Sequence, residues 1–299
     1  MRLYYGDSYT LAGHTFDTTR KARWVAESLR ARPVAGVAFV EPEQVTEEEL
    51  RAAHDEAYIQ AVKSGEPREL AESQGFAWDP QLWPMVCAST GGAIAAARAA
   101  LSDGVAGSLS SGLHHARRAR GNGFCTFNGL ALAALDALER GAGSVLILDF
   151  DAHCGGGTHS LVGDNPRVRI ADVAVSPFDY YEPAGRNRLE LVRDAARFMP
   201  TVERLLGEMD SAEKYDLCLY NAGMDPYEGC AIGGLAGITR AMLEARERLV
   251  FDWLGAHARA AAFVLAGGYV SQALSQDELV ALHRMTIERA SEASRGWAR

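Results

Sequence analysis

The sequence predicts an α/β fold: a single domain, residues 1–299, with a central, mostly parallel β-sheet of about eight strands and helices on both faces. Three observations predict it. Short apolar runs alternate with helical segments from one end of the chain to the other. The clearest run, Val145-Leu146-Ile147-Leu148, lacks the in/out alternation of a strand with one wet face, as expected of a strand covered on both sides. Finally, the residues able to do chemistry fall just past strand ends, where ligands collect in open α/β sheets.

In chain order, Met1–Tyr5 reads as a strand, and Asp17–Arg32 as a helix with Ala22, Val25, Ala26 and Leu29 at helical spacing. Gly36–Val40 is a second strand. Thr46-Glu47-Glu48-Glu49 has the form of a capping box and starts a short helix towards His54, with helix resuming over Glu56–Val62. Ser64–Pro80 mixes Gly, Pro, Ser and charge and reads as a long loop. Gln81–Leu101 is an alanine-rich helix whose Gly91-Gly92 pair permits close packing, and Val105–Ser110 is a strand ending in Ser111-Gly112-Leu113-His114-His115. A glycine-punctuated turn at Gly121–Cys125 precedes a helix over Asn128–Arg140. Strands follow at Val145–Leu148 and Val168–Val175, then a helix over Leu189–Leu206 kinked at Pro200. Tyr215–Tyr220 is a strand, Thr239–Gly255 a helix, Ala261–Leu265 a strand, and Gln272–Ala293 the closing helix.

Composition limits the function classes. With 48% hydrophobic and 23% charged residues the chain has the balance of a soluble globular protein. A net charge of −9 disfavours a phosphate-binding surface, so nucleic acid is not an expected partner. Cys87, Cys125, Cys154, Cys218 and Cys230 are odd in number and form no C-x-x-C pair, which points to a reducing compartment and away from a structural zinc ribbon. The N-terminus has no signal-peptide apolar region and no run reaches transmembrane length, so a cytoplasmic protein without a membrane partner is expected.

The informative stretch is Val145–Thr158, V-L-I-L-D-F-D-A-H-C-G-G-G-T. Asp149, Asp151 and His153 alternate at the end of the apolar run, so an extended chain presents all three on one side. Aspartate and histidine together can hold a divalent cation, which offsets the cost of burying their charge. A solvated polar loop is the bland alternative. His114-His115, Asp225 and Gly267-Gly268-Tyr269 lie at other strand ends; each is weak alone, and jointly they specify one site.

Ser111–Asn128 resembles the G-x-H-H-A…G-F-C-x-F-N segment of the zinc-dependent histone deacetylases, a family that includes acetoin-utilisation proteins and acetylpolyamine amidohydrolases. Leu148–Thr158 is similar to its D-x-D-x-H-H-G-N-G-T segment, Asn221–Asp225 to S-A-G-F-D, Gly233-Gly234-Leu235 to the G-G-L that follows, Ala266–Tyr269 to E-G-G-Y, and His54–Val62 to H-x-x-x-Y-I. The resemblance covers nearly the whole chain in the same order and implies an arginase/deacetylase-like fold. It implies one Zn²⁺ per chain on Asp151, His153 and Asp225, with one of His114 and His115 as general base and the other as electrostatic partner or acid, Asp149 accepting from His114, and Tyr269 donating to the oxyanion. It further implies a structural K⁺ near Asp149, Asp151 and Ser176, and a channel walled by Gly123 and Phe124 on one side and Tyr180 or Tyr181 on the other. The implied activity is a deacetylase or amidohydrolase acting on a small-molecule or peptide acyl-amine such as acetyl-lysine or an acetylpolyamine; a homo-oligomer is compatible with it.

The segment departs from the pattern in three places. Cys154 replaces a histidine that is not a ligand and reads as a small packed thiol. Gly156 replaces the Asp or Asn that orients the second histidine, so His115 is expected to lack that partner. Phe178 follows Ser176-Pro177 where S-x-H is common, which alters the channel wall. The family's acidic residue at the rim corresponds to one of Glu66, Glu69, Glu72 or Asp79. Two other functions compete. A zinc-holding homologue with little or no turnover would act as a binding module, a reading that Gly156 motivates. A binuclear manganese ureohydrolase would need D-A-H-x-D, and Gly155 removes that last bridging carboxylate.

Overall fold

The structure is a computed structural model and describes residues 1–13 and 16–297. The elements run β1 (Arg2–Tyr4), α1 (Asp17–Ala31), β2 (Ala38–Val40), α2 (Glu47–Leu50), α3 (Glu56–Ser64), α4 (Arg68–Ala71), α5 (Leu82–Asp103) and β3 (Val105–Ser108). They continue with α6 (Gly129–Glu139), β4 (Val145–Asp149), α7 (Gly156–Val162), β5 (Val168–Ala174), β6 (Arg188–Leu191) and α8 (Phe198–Glu208). β7 (Leu217–Ala222), α9 (Arg240–His257), β8 (Ala261–Leu265) and α10 (Gln276–Arg295) complete the chain. Among the described residues the strands form one eight-stranded sheet in the order β2-β1-β3-β8-β7-β4-β5-β6. Every neighbouring pair is parallel, so the sheet is wholly rather than mostly so.

β4 shows why its apolar run is continuous. Leu146 and Leu148 join the core on the face covered by α1, α8, α9 and α10, whereas Val145 and Ile147 join the core beneath α3, α5 and α6. All four are fully buried, a contribution of roughly 1.5–3 kcal/mol each. The strand register carries Asp149 opposite Asn221 of β7 on one side and Asp172 of β5 on the other, and all three are buried. The carboxyl ends of β3, β8, β7, β4 and β5 therefore lie side by side and deliver polar residues to one edge.

The capping box at Thr46 forms as expected: the Thr46 hydroxyl accepts from the Glu49 amide, and the Glu49 carboxylate accepts from the Thr46 amide. A second box, Ser275 with Glu278, starts α10 four residues later than the expected Gln272. The expected helix over Leu189–Leu206 is corrected. Arg188-Leu189-Glu190-Leu191 is the edge strand β6, whose Leu189 and Leu191 pack against Cys154, Ala174 and Tyr181. The period-two alternation there is a strand signal. Pro200 falls in the first turn of α8, where its missing N–H would have had no partner, so it starts a helix rather than kinking one. Within the expected loop 64–80, Arg68–Ala71 forms one helical turn. α5 is, by length and composition, long and apolar enough to cross a bilayer, but its apolar residues are buried against β3, β8 and α6.

His54 ties the segment before α3 to the edge that carries the site. Its Nδ1–H donates to the Arg117 carbonyl at 2.9 Å and its Nε2 accepts from the Asn128 amide at 3.0 Å, so the neutral ring is fully satisfied. Burial pushes its pKa down to about 4, against the Arg117 carbonyl, which favours the charged form. The unfolded chain takes up this proton near pH 6.5, before the folded state does. Stability is thus full above that pH and declines as the pH falls towards 4. Chemical denaturation is expected to show roughly 2 kcal/mol less stability at pH 5 than at pH 7 from this group, a difference that His54→Gln reduces. An equal pH 5-to-7 difference in the variant would contradict the assignment.

Candidate active site

Asp151 and His153 lie in the turn after β4, and Asp225 in the turn after β7. One ligand atom from each falls within 4.8 Å of the others. Backbone amides orient the carboxylates: Gly267 donates to Asp151 Oδ2 at 2.7 Å, His153 to Asp151 Oδ1 at 3.0 Å, and Ala152 to Asp225 Oδ1 at 2.9 Å. Asp225 Oδ2 is buried and receives no hydrogen bond among the described residues, although it lies 3.2 Å from His153 Nδ1. Burial and the Asp151 charge together push Asp225 up to about 6. Two dry carboxylates that repel each other, an imidazole nitrogen and an unsatisfied oxygen converge on one point. That donor set fits a divalent cation.

The backbone of Gly267 closes this cluster from the β8 side. A Cβ there would fall 2.0 Å from Asp225 Oδ2 and 2.7 Å from Asp151 Oδ2, so only glycine brings its amide to Asp151.

Beside the cluster stand His114 and His115, both buried, with their Nε2 atoms 3.1 Å apart. His114 Nδ1–H donates to Asp149 Oδ2 at 2.7 Å, as expected. Asp149 Oδ1 is held in turn by the Asn221 side-chain amide at 2.8 Å. Burial opposes a charge on His114, but the carboxylates of Asp149 and Asp151 outweigh it and raise its pKa to about 10. His115 behaves oppositely: burial and the neighbouring His114 charge push it down to about 4, against Asp179. The expectation that His115 lacks a partner is corrected. Its Nδ1 lies 3.0 Å from Asp179 Oδ2, a carboxylate in the loop after β5.

An open cleft of about 220 Å³ reaches this cluster, lined by His115, Gly123, Phe124, His153, Ser176, Phe178, Ile232 and Tyr269. Gly123, Phe124 and Tyr269 thus stand where the sequence places them. Phe124 is backed by Phe16 and Phe76, with ring centroids 4.1 and 5.2 Å away. The opposite wall is Phe178, edge-on to His115 at 5.0 Å, rather than Tyr180 or Tyr181. Tyr181 is buried, stacked on His159 at 4.3 Å, and Tyr180 is exposed and donates to Glu182. Ser176 pairs with His153 in an isolated parallel bridge, and its hydroxyl accepts from the Phe178 amide. Cys154 is a buried thiol packed with Ala174 and Tyr181 and donates to the Ser176 carbonyl. Of the four candidate rim acids none lines the cleft; the Glu72 carboxylate accepts from the Trp78 amide and Asp79 from those of Gly13 and Gln81.

The geometry at Gly267 makes a specific expectation. Gly267→Ala should weaken divalent-metal affinity by about 10–100-fold in a direct metal titration, because the added methyl displaces both carboxylates. Affinity unchanged by that substitution would contradict the proposed cluster.

The sequence profile of the histone deacetylase domain matches residues 14–285. An uncharacterized protein of Picosynechococcus sp. is 31% identical over 242 residues, covering 77% of this chain and 80% of that protein. Histone deacetylase 2 of Arabidopsis thaliana is 28% identical over 293 residues, covering 90% of this chain and 74% of that one. The crystal structure of an acetylpolyamine aminohydrolase from Burkholderia pseudomallei has the same fold, with a TM-score of 0.77 at 20% identity over 97% of this chain and 98% of that one. The order of motifs, the parallel sheet and the profile match agree: the chain belongs to the histone deacetylase domain family, a family of metal-dependent deacetylases.

Proposed function

We propose that the chain is a zinc-dependent deacylase that hydrolyses the amide of an acylated primary amine, such as acetyl-lysine or an acetylpolyamine. One observation carries the reading. A pair of buried histidines, each with its own carboxylate, stands beside the Asp151–His153–Asp225 cluster at the foot of an apolar cleft.

Three protein donors, two oxygens and one nitrogen, would leave room on the ion for water or substrate, which suits zinc in a catalytic rather than a structural site. When bound, zinc would polarise the acyl carbonyl and lower the pKa of water. The chain's own residues would do the rest. His115 lines the cleft and His114 does not, so His115 would take the proton from the attacking water and return it to the leaving amine. His114, held by Asp149, would be its electrostatic partner, keeping His115 neutral and so able to accept that proton. Tyr269 would donate its phenol to the oxyanion that forms as water adds to the carbonyl. Phe124 and Phe178 would flank the aliphatic chain that carries the acyl group and keep bulk water out.

The rest of the reading follows from the same residues. A structural K⁺ beside Asp149, Asp151 and Ser176 is part of this proposal. The five cysteines are all free and buried, which supports a reducing, cytoplasmic setting. The negative net charge supports a small-molecule or peptide substrate over nucleic acid. A non-catalytic binding module loses its motive, because a carboxylate does reach His115.

The test is a panel of acyl-amines of varied chain and amine, assayed on zinc-loaded protein. Turnover of at least one acetylated amine is expected, and Tyr269→Phe should lower kcat by roughly 10²–10³ with zinc content unchanged. A Tyr269→Phe enzyme with the full rate, or no turnover of any member of the panel, would contradict the proposal.

A further inference from the structure

We propose that Asp179 is the positioning residue for His115, supplying from the loop after β5 the acceptor that an Asp or Asn at position 156 supplies in the segment this stretch resembles. The inference rests on the deacylase reading above, but its geometry stands apart from any metal. The Asp179 side chain is 3% exposed, and all its hydrogen-bonding capacity is directed. Oδ2 accepts from His115 Nδ1 at 3.0 Å and from the Gly157 amide at 3.0 Å. Oδ1 pairs with the Arg117 guanidinium, which also donates to the Gly156 carbonyl at 3.4 Å.

Gly156 and Asp179 form one device. A Cβ at Gly156 would lie 2.3 Å from the Asp179 carbonyl oxygen and 2.9 Å from its carboxylate carbon. The loop therefore fills the space that any side chain at 156 would need, and the glycine is a requirement of the relocated acid rather than a loss. The loop is fixed in place: the Cys154 amide donates to the Phe178 carbonyl at 3.1 Å, and the Tyr180 amide to the Pro177 carbonyl at 3.2 Å. Asp179 has φ of 59°, a left-handed conformation that costs a non-glycine residue about 1 kcal/mol or more. Glycine would relieve it. An aspartate held in that conformation, with its carboxylate the sole partner of His115 Nδ1 among the described residues, indicates that the side chain is what the position supplies.

The chemical consequence is a fixed tautomer. Because the carboxylate only accepts, His115 must carry its proton on Nδ1, which leaves the Nε2 lone pair available on the side of His114 and the cleft. Without that acceptor the ring would sample the other tautomer and other rotations.

Two variants separate this role from a purely structural one. Asp179→Gly keeps the backbone conformation but removes the carboxylate. Because the two sides use different oxygens, Asp179→Asn keeps an acceptor towards His115 and Gly157, loses the ion pair with Arg117 and turns an NH₂ towards that exposed guanidinium, which has room to swing away. We expect Asp179→Gly to lower kcat by about 10–100-fold with KM little changed, and Asp179→Asn to retain most of the rate. Independently of turnover, ¹H–¹⁵N spectra of the histidine side chains, in zinc-free and zinc-loaded protein, should show a hydrogen-bonded Nδ1 proton on His115. It should be present in the wild type and Asp179→Asn and lost in Asp179→Gly. A wild-type His115 protonated on Nε2, a Gly variant with full kcat, or an Asn variant as impaired as the Gly variant would overturn the inference. If the wild type turned over no acyl amide, the deacylase reading would fail while the Nδ1 proton still decided the role of Asp179.

Discussion

Concentrated negative charge in a dry place is the constraint from which the rest of the site follows. The parallel sheet carries Asp149, Asp151 and Asp225 to adjacent strand ends, all but inaccessible to solvent, with Asp172 buried next to Asp149. Unpaired, such carboxylates would cost several kcal/mol each. Each one is answered differently: Asp149 by His114, Asn221 and the Asp151 amide, Asp151 by two backbone amides and His153, and Asp172 by the Gly155 amide on one oxygen, with burial and Asp149 pushing its pKa well up. Asp172 and Asp225 each keep a buried oxygen without a hydrogen bond among the described residues, and only that of Asp225 belongs to the cluster with Asp151 and His153. The cluster calls for positive charge, and its position beside two histidines and a tyrosine gives that demand chemical meaning.

The same constraint explains the glycines around the site. Backbone amides can reach carboxylates only where no Cβ intervenes, and Gly267 meets that condition against Asp151 and Asp225. Gly156 meets a different one, since the approaching group is the chain carrying Asp179. Sheet topology sets where the acids meet, and close backbone approach sets how they are held.

Much of this was legible in the sequence because it is local. The apolar run of β4 followed at once by Asp149, Asp151 and His153 displays strand, strand end and donor set within nine residues. Asp225 and Tyr269 were legible as the ends of β7 and β8. What escaped was set by conformation at a distance. Asp179 lies 64 residues from His115, and its reach depends on a left-handed backbone angle that no residue pattern announces. Phe178 became a cleft wall, and Tyr181 a buried one against His159, through the same turn. The edge strand β6 is hard to see in the sequence because it is only four residues long, its leucines are half-buried, and the stronger apolar spacing of α8 follows close behind.

The central claim is that one zinc ion, held by Asp151, His153 and Asp225, is sufficient for hydrolysis of an acyl amide. It is tested most directly by titrating metal-free protein with zinc while following turnover of an acetylated amine. The account predicts activity that rises in proportion to added zinc and stops rising at one equivalent per chain. Full activity before any metal is added, or a rise that continues to two equivalents, would contradict it.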